Sequence, residues 1–168
     1  MTDLLLNAKG RIAKHRFWQG MIILTVASVI VTAGAVKLGM IFGILSYLLI
    51  YPYICVYGKR LHDIGTTAWW VIGIWLGSFV ISFIYSIFLT PFFVGPEAEK
   101  IQKEMSERLM SGDLAGFSEG AALLNKELWI MQIVTIVLVN ATIALILGLL
   151  STEPRENKHG PVPSSVSG

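Results

Sequence analysis

Residues 17–57 read FWQGMIILTVASVIVTAGAVKLGMIFGILSYLLIYPYICVY, and this stretch decides the fold. Its one charged residue, Lys37, divides it into two apolar runs, 17–36 and 38–57. Each run has the roughly 20 residues that a helix needs to cross the hydrocarbon core of a bilayer. Glycines flank Lys37, so the sequence predicts two membrane spans joined by a tight turn. One long bent helix is the alternative, but it would far exceed the thickness of a bilayer.

Two further apolar runs, near 68–89 and 128–150, also contain no charged residue and no histidine. Of the 168 residues, 54% are hydrophobic and only 14% are charged, whereas a soluble domain has about 25% charged residues. The sequence therefore predicts an all-α fold: a membrane-embedded four-helix bundle over residues 1–150. A cytoplasmic tail, 151–168, follows the bundle, and we expect its Pro/Ser-rich end to be disordered.

The composition excludes several other classes of protein. A disordered chain needs low hydrophobicity and high charge, and this sequence has neither. A disulfide scaffold is excluded because Cys55 is the only cysteine. The net charge of +2 is too small to indicate a nucleic-acid partner. The basic residues before the first run also resemble a signal peptide, but that run continues at once into a second span.

The basic residues predict the orientation of the four spans, because cytoplasmic segments carry an excess of Lys and Arg. With four spans, the first segment, the loop after the second span and the tail lie on one side of the membrane. They hold Lys9, Arg11, Lys14, Arg16, Lys59, Arg60, Arg155 and Lys158. The other side has fewer basic residues, so both termini are expected on the inner face.

Small and aromatic residues indicate how the spans pack and where they meet the interface. Gly73 and Gly77 form a G-x-x-x-G pattern, which favours either packing within the bundle or a homo-oligomer. Asn140 is expected to point inward as a hydrogen-bonding group, and Pro52 is expected to kink the second span. A further stripe of small residues comprises Ala35, Gly39 and Gly43. The predicted interfacial anchors are Trp18, Trp69, Trp70 and Trp129.

The segment 95–127 between the third and fourth spans is polar and acidic. Its first part, 97–110, has the periodicity of an amphipathic helix, followed by a break at 111–113. Ser118 is predicted to cap a second helix that leads into the fourth span. The first helix suits either the outer leaflet or a docking partner.

Residues 58–67 are predicted to form a short loop between the second and third spans. Asp63 in this loop is expected to pair with Arg60 or with Arg11, and Gly65 allows a tight turn. Such a pair would fix the loop against the first helix.

Three blocks of residues resemble the DUF805 family of small bacterial inner-membrane proteins, which has no assigned biochemical activity. The blocks are Gly10-Arg11-Ile12 with Phe17-Trp18, Arg60-Leu61-His62-Asp63-x-Gly65 with Ala68-Trp69-Trp70, and Glu156-Asn157 with Gly160-Pro161-x-Pro163. The resemblance implies a multi-pass protein of the bacterial plasma membrane. His159 stands where the family prefers an aromatic residue, and 95–127 looks like an insertion.

All three blocks fall on the predicted inner face, which suggests that their polar residues assemble into one cluster. Its predicted members are Arg11, Arg60, His62, Asp63, Asn157 and Gly160. One interpretation is a structural clasp that joins both chain ends to the loop. The other is an anion site for a phospholipid head group, with Arg11, Lys14, Arg16, Lys59 and Arg60 as donors.

The sequence favours a non-enzymatic membrane protein that organises lipid or protein partners. A transporter or channel component is one alternative, although the spans hold no ionisable residue. An enzyme acting on lipid head groups, with His62 as base, is another. We predict no catalytic residues, cofactor or metal, because the spacing of His15, His62 and His159 follows no known ligand pattern.

Overall fold

A computed structural model describes residues 2–38 and 40–163 of the chain. These residues form only helices and connections: α1 (Thr2–Leu6), α2 (Lys14–Leu38), α3 (Met40–Leu48), α4 (Ile50–Asp63), α5 (Trp70–Phe93), α6 (Pro96–Met110), α7 (Leu114–Glu127) and α8 (Trp129–Leu149). Four stretches of helix are long and apolar enough to cross a membrane: Lys14–Leu38, Phe42–Asp63, Trp70–Phe93 and Trp129–Leu149. The predicted all-α class with four candidate spans is confirmed.

The second candidate span is interrupted at Leu49, where α3 ends and α4 begins. Pro52 lies three residues further on and has no backbone N–H to give to the carbonyl of Leu48. The helix therefore lacks one backbone hydrogen bond at this level. Regular helical hydrogen bonding begins again with the Tyr53 amide, which donates to the Leu49 carbonyl at 3.2 Å.

The prediction of a loop over 58–67 is wrong for its first part, because α4 continues to Asp63. The helix ends where Gly65 adopts a left-handed conformation with φ of 90°. Both the amide and the hydroxyl of Thr66 then donate to the Leu61 carbonyl at 2.9 Å. The polar residues of α4 extend the helix because each finds a partner within the protein, as described below.

The buried apolar core lies at one end of the bundle. It comes from the first half of α2, the second half of α4 and the second half of α8. Its principal members are Phe17, Met21, Leu24, Val56, Tyr57, Leu61, Ile143, Ala144 and Leu147. Only Val71 of α5 is buried. The four spans are thus packed tightly at the end where α2 begins and α4 ends.

Helices α6 and α7 form a hairpin at the other end of the bundle. Asp113 caps α7 by accepting from the Gly116 amide at 2.9 Å, so the predicted cap at Ser118 is wrong. Asp113 is the capping residue because it stands immediately before the first residue of α7, whereas Ser118 lies inside that helix. Met105 of α6 packs against Gly120 of α7. This end of the molecule is called the hairpin end below.

The glycines have different surroundings in the structure. A Cβ at Gly148 would lie 2.7 Å from the Trp18 ring, so Trp18 packs between α2 and α8. Gly73 and Gly77 line an apolar groove of about 330 Å³ between α5 and α8. A Cβ at Gly77 would meet no atom within 4 Å, and self-association through this face stays a prediction. Gly39 and the tail residues 164–168 lie outside the described residues.

The other predicted interfacial tryptophans lie at helix starts. Trp69 and Trp70 are exposed where α5 begins, and Trp129 is partly exposed where α8 begins.

Candidate functional site: a clasp between both chain ends and helix α4

Arg60 lies in the last turn of α4 with no part of its side chain exposed. Its Nε donates to the Leu147 carbonyl at 3.0 Å, and its Nη2 donates to the Leu150 carbonyl at 2.6 Å. These carbonyls belong to the end of α8, where the helix itself supplies no N–H partner and a cation is favourable. The guanidinium also lies 5.9 Å from the centre of the Phe17 ring. Arg60 therefore joins α4 to the end of α8.

Asp63 lies one turn after Arg60 in the same helix, and its side chain is also fully buried. Its negative charge balances the charge of Arg60. Its Oδ2 accepts from Nη1 of Arg60 and, at 2.8 Å, from the hydroxyl of Thr152. Its Oδ1 accepts from Nη2 of Arg11 at 3.3 Å. One carboxylate thus contacts two guanidinium groups, one from α4 and one from the segment before α2.

Arg11 connects the beginning of the chain to the tail. Its Nη2 donates to the Glu153 carbonyl at 2.6 Å, and its Nη1 donates to the Arg155 carbonyl at 2.8 Å and the Gly160 carbonyl at 3.5 Å. The Arg11 side chain is only 1% exposed. Arg11 therefore binds the tail through backbone carbonyls and binds α4 through the carboxylate of Asp63.

Asn157 fixes the tail against the end of α4. Its amide nitrogen donates to the His62 carbonyl at 3.0 Å and to Glu153 Oε2 at 2.6 Å. Its backbone pairs with that of Gly160, which has φ of 127°. The Glu153 amide donates to the Asp63 carbonyl at 2.8 Å.

His62 and His159 lie with their rings stacked, 3.6 Å apart between centroids and 6° from parallel. His62 Nδ1 is 3.0 Å from the Gly10 carbonyl. Nε2 of His159 is buried and has no hydrogen-bond partner among the described residues. Loss of solvation lowers the pKa of His159, and the neighbouring charges of His62, Lys158 and Arg11 lower it further.

The structure thus brings all six predicted cluster residues together. The clasp is defined here as Arg11, Arg60, His62, Asp63, Asn157 and Gly160. The two arginines of this site are already hydrogen-bonded to Asp63 and to backbone carbonyls. In the described part of the chain, no group of three His, Cys, Asp or Glu residues is placed to hold a metal ion.

The five donors predicted for an anion site do not lie together. The side chains of Arg11, Arg60 and Lys59 are at most 1% exposed, and Lys59 donates to the backbone carbonyl of Asp3. Lys14 and Arg16 are exposed. The exposed basic side chains around the clasp form a different set, called the basic rim here: Lys9, Lys14, Arg16, Arg155 and Lys158.

A family model described as "Protein of unknown function (DUF805)" matches residues 5–101. The chain belongs to the DUF805 family. The matched region holds the first four residues of the clasp, and the tail residues Asn157 and Gly160 lie beyond it. No curated protein and no solved structure matches the chain.

The sequence did not reveal every partner in the clasp of this DUF805 protein. Thr152 and Glu153 both contact Asp63, and Asp3 of α1 covers Lys59. One feature of the sequence did indicate that such partners exist: the adjacent cations Lys59 and Arg60 lie next to a long apolar run. If the helix continues through these cations, they need hydrogen-bonding partners within the protein.

Proposed function

We propose that this DUF805 protein is a non-enzymatic protein of the bacterial inner membrane that binds anionic phospholipid head groups. The clasp holds both chain ends against α4, and it thereby fixes the basic rim where α2 begins. The proposal rests on the different surroundings of two sets of cations. Arg11 and Arg60 are hydrogen-bonded within the clasp, whereas the side chains of the basic rim are exposed.

The burial of His62 in the clasp supports a non-enzymatic role. A general base needs a free nitrogen within reach of a substrate proton. His62 Nδ1 lies against the Gly10 carbonyl and one face of the ring is covered by His159. The residue is only 8% exposed, which restricts access to its Nε2. The alternative of a head-group enzyme with His62 as base therefore has no open approach along that face.

The charge of the basic rim supports lipid binding. Each Lys or Arg near an anionic membrane surface contributes about 1 kcal/mol. The exposed acids in the same segments are Asp3 and Glu156, so the rim keeps an excess of positive charge. Lys14 and Arg16 stand in the first turn of α2, where a spanning helix would leave the hydrocarbon.

The excess of Lys and Arg at the clasp end also supports an orientation with both termini in the cytoplasm. An affinity tag at either end of the chain tests it. In intact cells, an impermeant reagent should leave both tags unmodified, and modification of either tag would reverse the orientation.

Lipid binding is tested with nanodiscs that contain phosphatidylethanolamine and phosphatidylglycerol. After release into the gas phase, native mass spectrometry should show retained phosphatidylglycerol. The double variant Lys14→Gln with Arg16→Gln should retain less of it. The matched control is Lys100→Gln with Lys103→Gln, two exposed lysines of α6 at the hairpin end. Equal retention in both double variants would contradict the proposal.

A further inference from the structure

A cavity of about 520 Å³ lies between the four candidate spans, at the level where α3 and α4 are interrupted. Residues of all four spans line it, together with Leu49 at the interruption. The wall surface is mainly apolar, and the side chains with a hydroxyl or amide group that line it are Ser28, Thr32, Ser46, Tyr53, Ser78, Ser82, Thr135 and Asn140. No Asp, Glu, Lys, Arg or His is among its lining residues.

Three of these side chains form a connected group. The Asn140 amide nitrogen donates to the Tyr53 hydroxyl at 2.7 Å, and that hydroxyl lies 3.1 Å from the Ser28 hydroxyl. Asn140 is only 7% exposed, yet the hydrogen bonds among the described residues do not engage its side-chain carbonyl oxygen. The oxygen is accessible from the cavity rather than enclosed by protein, so it can accept a hydrogen bond from a molecule that enters there.

The cavity continues toward the hairpin end. A neighbouring space of about 690 Å³ shares Thr32 and Ser46 with it and extends to Lys37 and Lys126. Another of about 350 Å³ shares Ser82 and Thr135 and extends to Asn125 and Gln132. In the opposite direction, the apolar core and the clasp close the centre of the bundle. The groove between α5 and α8 shares Ser78 with the cavity on that side, but apart from Ser78 and Thr66 its lining is apolar. The polar entrance to the space therefore lies at the hairpin end.

We propose that this space is a water-filled vestibule, open at the hairpin end, in which Ser28, Tyr53 and Asn140 bind a small uncharged molecule that carries hydroxyl or amide groups. The volume lies within the range of about 300–1,000 Å³ that ligand pockets occupy. A charged ligand would have no counter-charge at the polar group, whereas hydroxyl or amide groups would complete its hydrogen bonds. The proposal is independent of lipid binding by the basic rim and of the orientation in the membrane.

Accessibility of introduced cysteines tests the vestibule directly. Cys55 is the only cysteine and is buried, so the variants are made in a Cys55→Ala background. The protein is reconstituted in sealed vesicles of both orientations, and the charged reagent MTSES is added outside. Ser82→Cys and Thr135→Cys should react when the hairpin end faces the reagent and should not react from the clasp end.

Two control positions distinguish the vestibule from general exposure. Val80→Cys lies on α5 outside the cavity lining and should face lipid, where thiols do not ionise. Ala144→Cys lies on α8 in the buried core, nearer the clasp. Neither should react. Unreactive Ser82→Cys and Thr135→Cys, or reaction of Ala144→Cys at the same rate, would overturn the vestibule.

The uncharged character of the binding site is tested by comparing reagents at two depths. The rate of each reagent is divided by its rate with a free thiol in solution. At Gln132→Cys, near the entrance, these relative rates should be similar for the neutral reagent MTSHE and the anionic reagent MTSES. At Ser28→Cys, the neutral reagent should be about tenfold faster, because a charge is poorly solvated there. If the ratio of the MTSHE rate to the MTSES rate is the same at both depths, the proposal of an uncharged site is contradicted. The test of the vestibule by cysteine accessibility does not depend on this result. A neutral polyol, glycerol, should slow the reaction of Thr32→Cys with MTSHE, because Thr32 lines the cavity one turn from Ser28 and is not part of the binding group. No slowing would overturn the ligand class.

Discussion

Arg60 and Asp63 form a salt bridge between side chains one turn apart in α4, and neither side chain is exposed to solvent. A buried ion pair by itself repays the loss of hydration poorly. Here, further groups complete the hydrogen bonds: α8 carbonyls accept from Arg60, and Arg11 and Thr152 donate to Asp63. The pair therefore joins four parts of the chain at one point: the segment before α2, the end of α4, the end of α8 and the tail.

Removal of the Asp63 charge should destabilise the protein strongly. Asp63→Asn leaves the buried guanidinium groups of Arg11 and Arg60 without their anion, and loss of one partner of a buried pair costs about 3–5 kcal/mol. The free energy of unfolding in mixed micelles measures the effect. Glu119→Gln is the control, because Glu119 is 78% exposed in its contact with Arg108, and the expected change is below about 1 kcal/mol. Similar small losses in both variants would show that Asp63 does not organise the clasp.

Asn157→Ala should release the tail without unfolding the bundle. The variant loses bonds to the His62 carbonyl and to Glu153, each worth about 0.5–1.5 kcal/mol. Limited proteolysis should cut the tail faster, whereas the helical circular dichroism should stay unchanged. Lys158→Ala, an exposed neighbour, should be cut at the rate of the unmodified protein. A tail that is equally resistant in Asn157→Ala would contradict the role assigned to this amide.

Docking of the tail should weaken in acid because of His159. Its pKa is lower in the folded protein than its ordinary value of about 6.5, so the unfolded or released tail binds the proton more readily. The stabilisation is complete above about pH 6.5 and is lost as the pH falls through the lower folded pKa. The groups that face His159 include His62, Lys158, Arg11 and Glu153.

The variant His159→Phe keeps a ring against His62 but removes its titration. Protease resistance of the tail, measured between pH 7.5 and pH 5, should fall more in the unmodified protein than in this variant. The same fall in both proteins would assign the pH dependence to another group.

Gly160→Ala should destabilise the clasp through backbone strain rather than through a clash. Gly160 has φ of 127°, and a Cβ there would meet no atom within 4 Å. Such a conformation costs other residues about 1–3 kcal/mol. Gly43→Ala is a matched control, because its Cβ also meets no atom and its backbone is helical. A thermal shift no larger than that of the control would contradict the expected strain.

The sequence predicted the parts of the molecule that depend on local composition. Long apolar runs identify the candidate spans, and Pro52 accounts for the interruption at Leu49. The members of the clasp were also predictable, because their motifs fall at chain ends that an even number of spans places on one side of the membrane. The polarity of residues 58–63 suggested a loop, however, and their partners in α8 and the tail lie about 90 residues away.

The vestibule was not predicted, for a related reason. Serines and small residues in a span are typical of helices that pack closely. Two helices meet at such residues only where their axes stay close together. The position of the buried core determines where along the bundle that is. Here the core lies at the clasp end, so Ser78 and Ser82 face open space instead of another helix.

Amide hydrogen exchange in residues 151–160 shows whether Asp63 holds this segment against α4. The Glu153 and Gly160 amides donate to backbone carbonyls and should be protected from exchange. Their protection should disappear in Asp63→Asn under conditions where α2 and α8 remain protected. Exchange of residues 151–160 at the rate of a free peptide in the unmodified protein would contradict the clasp.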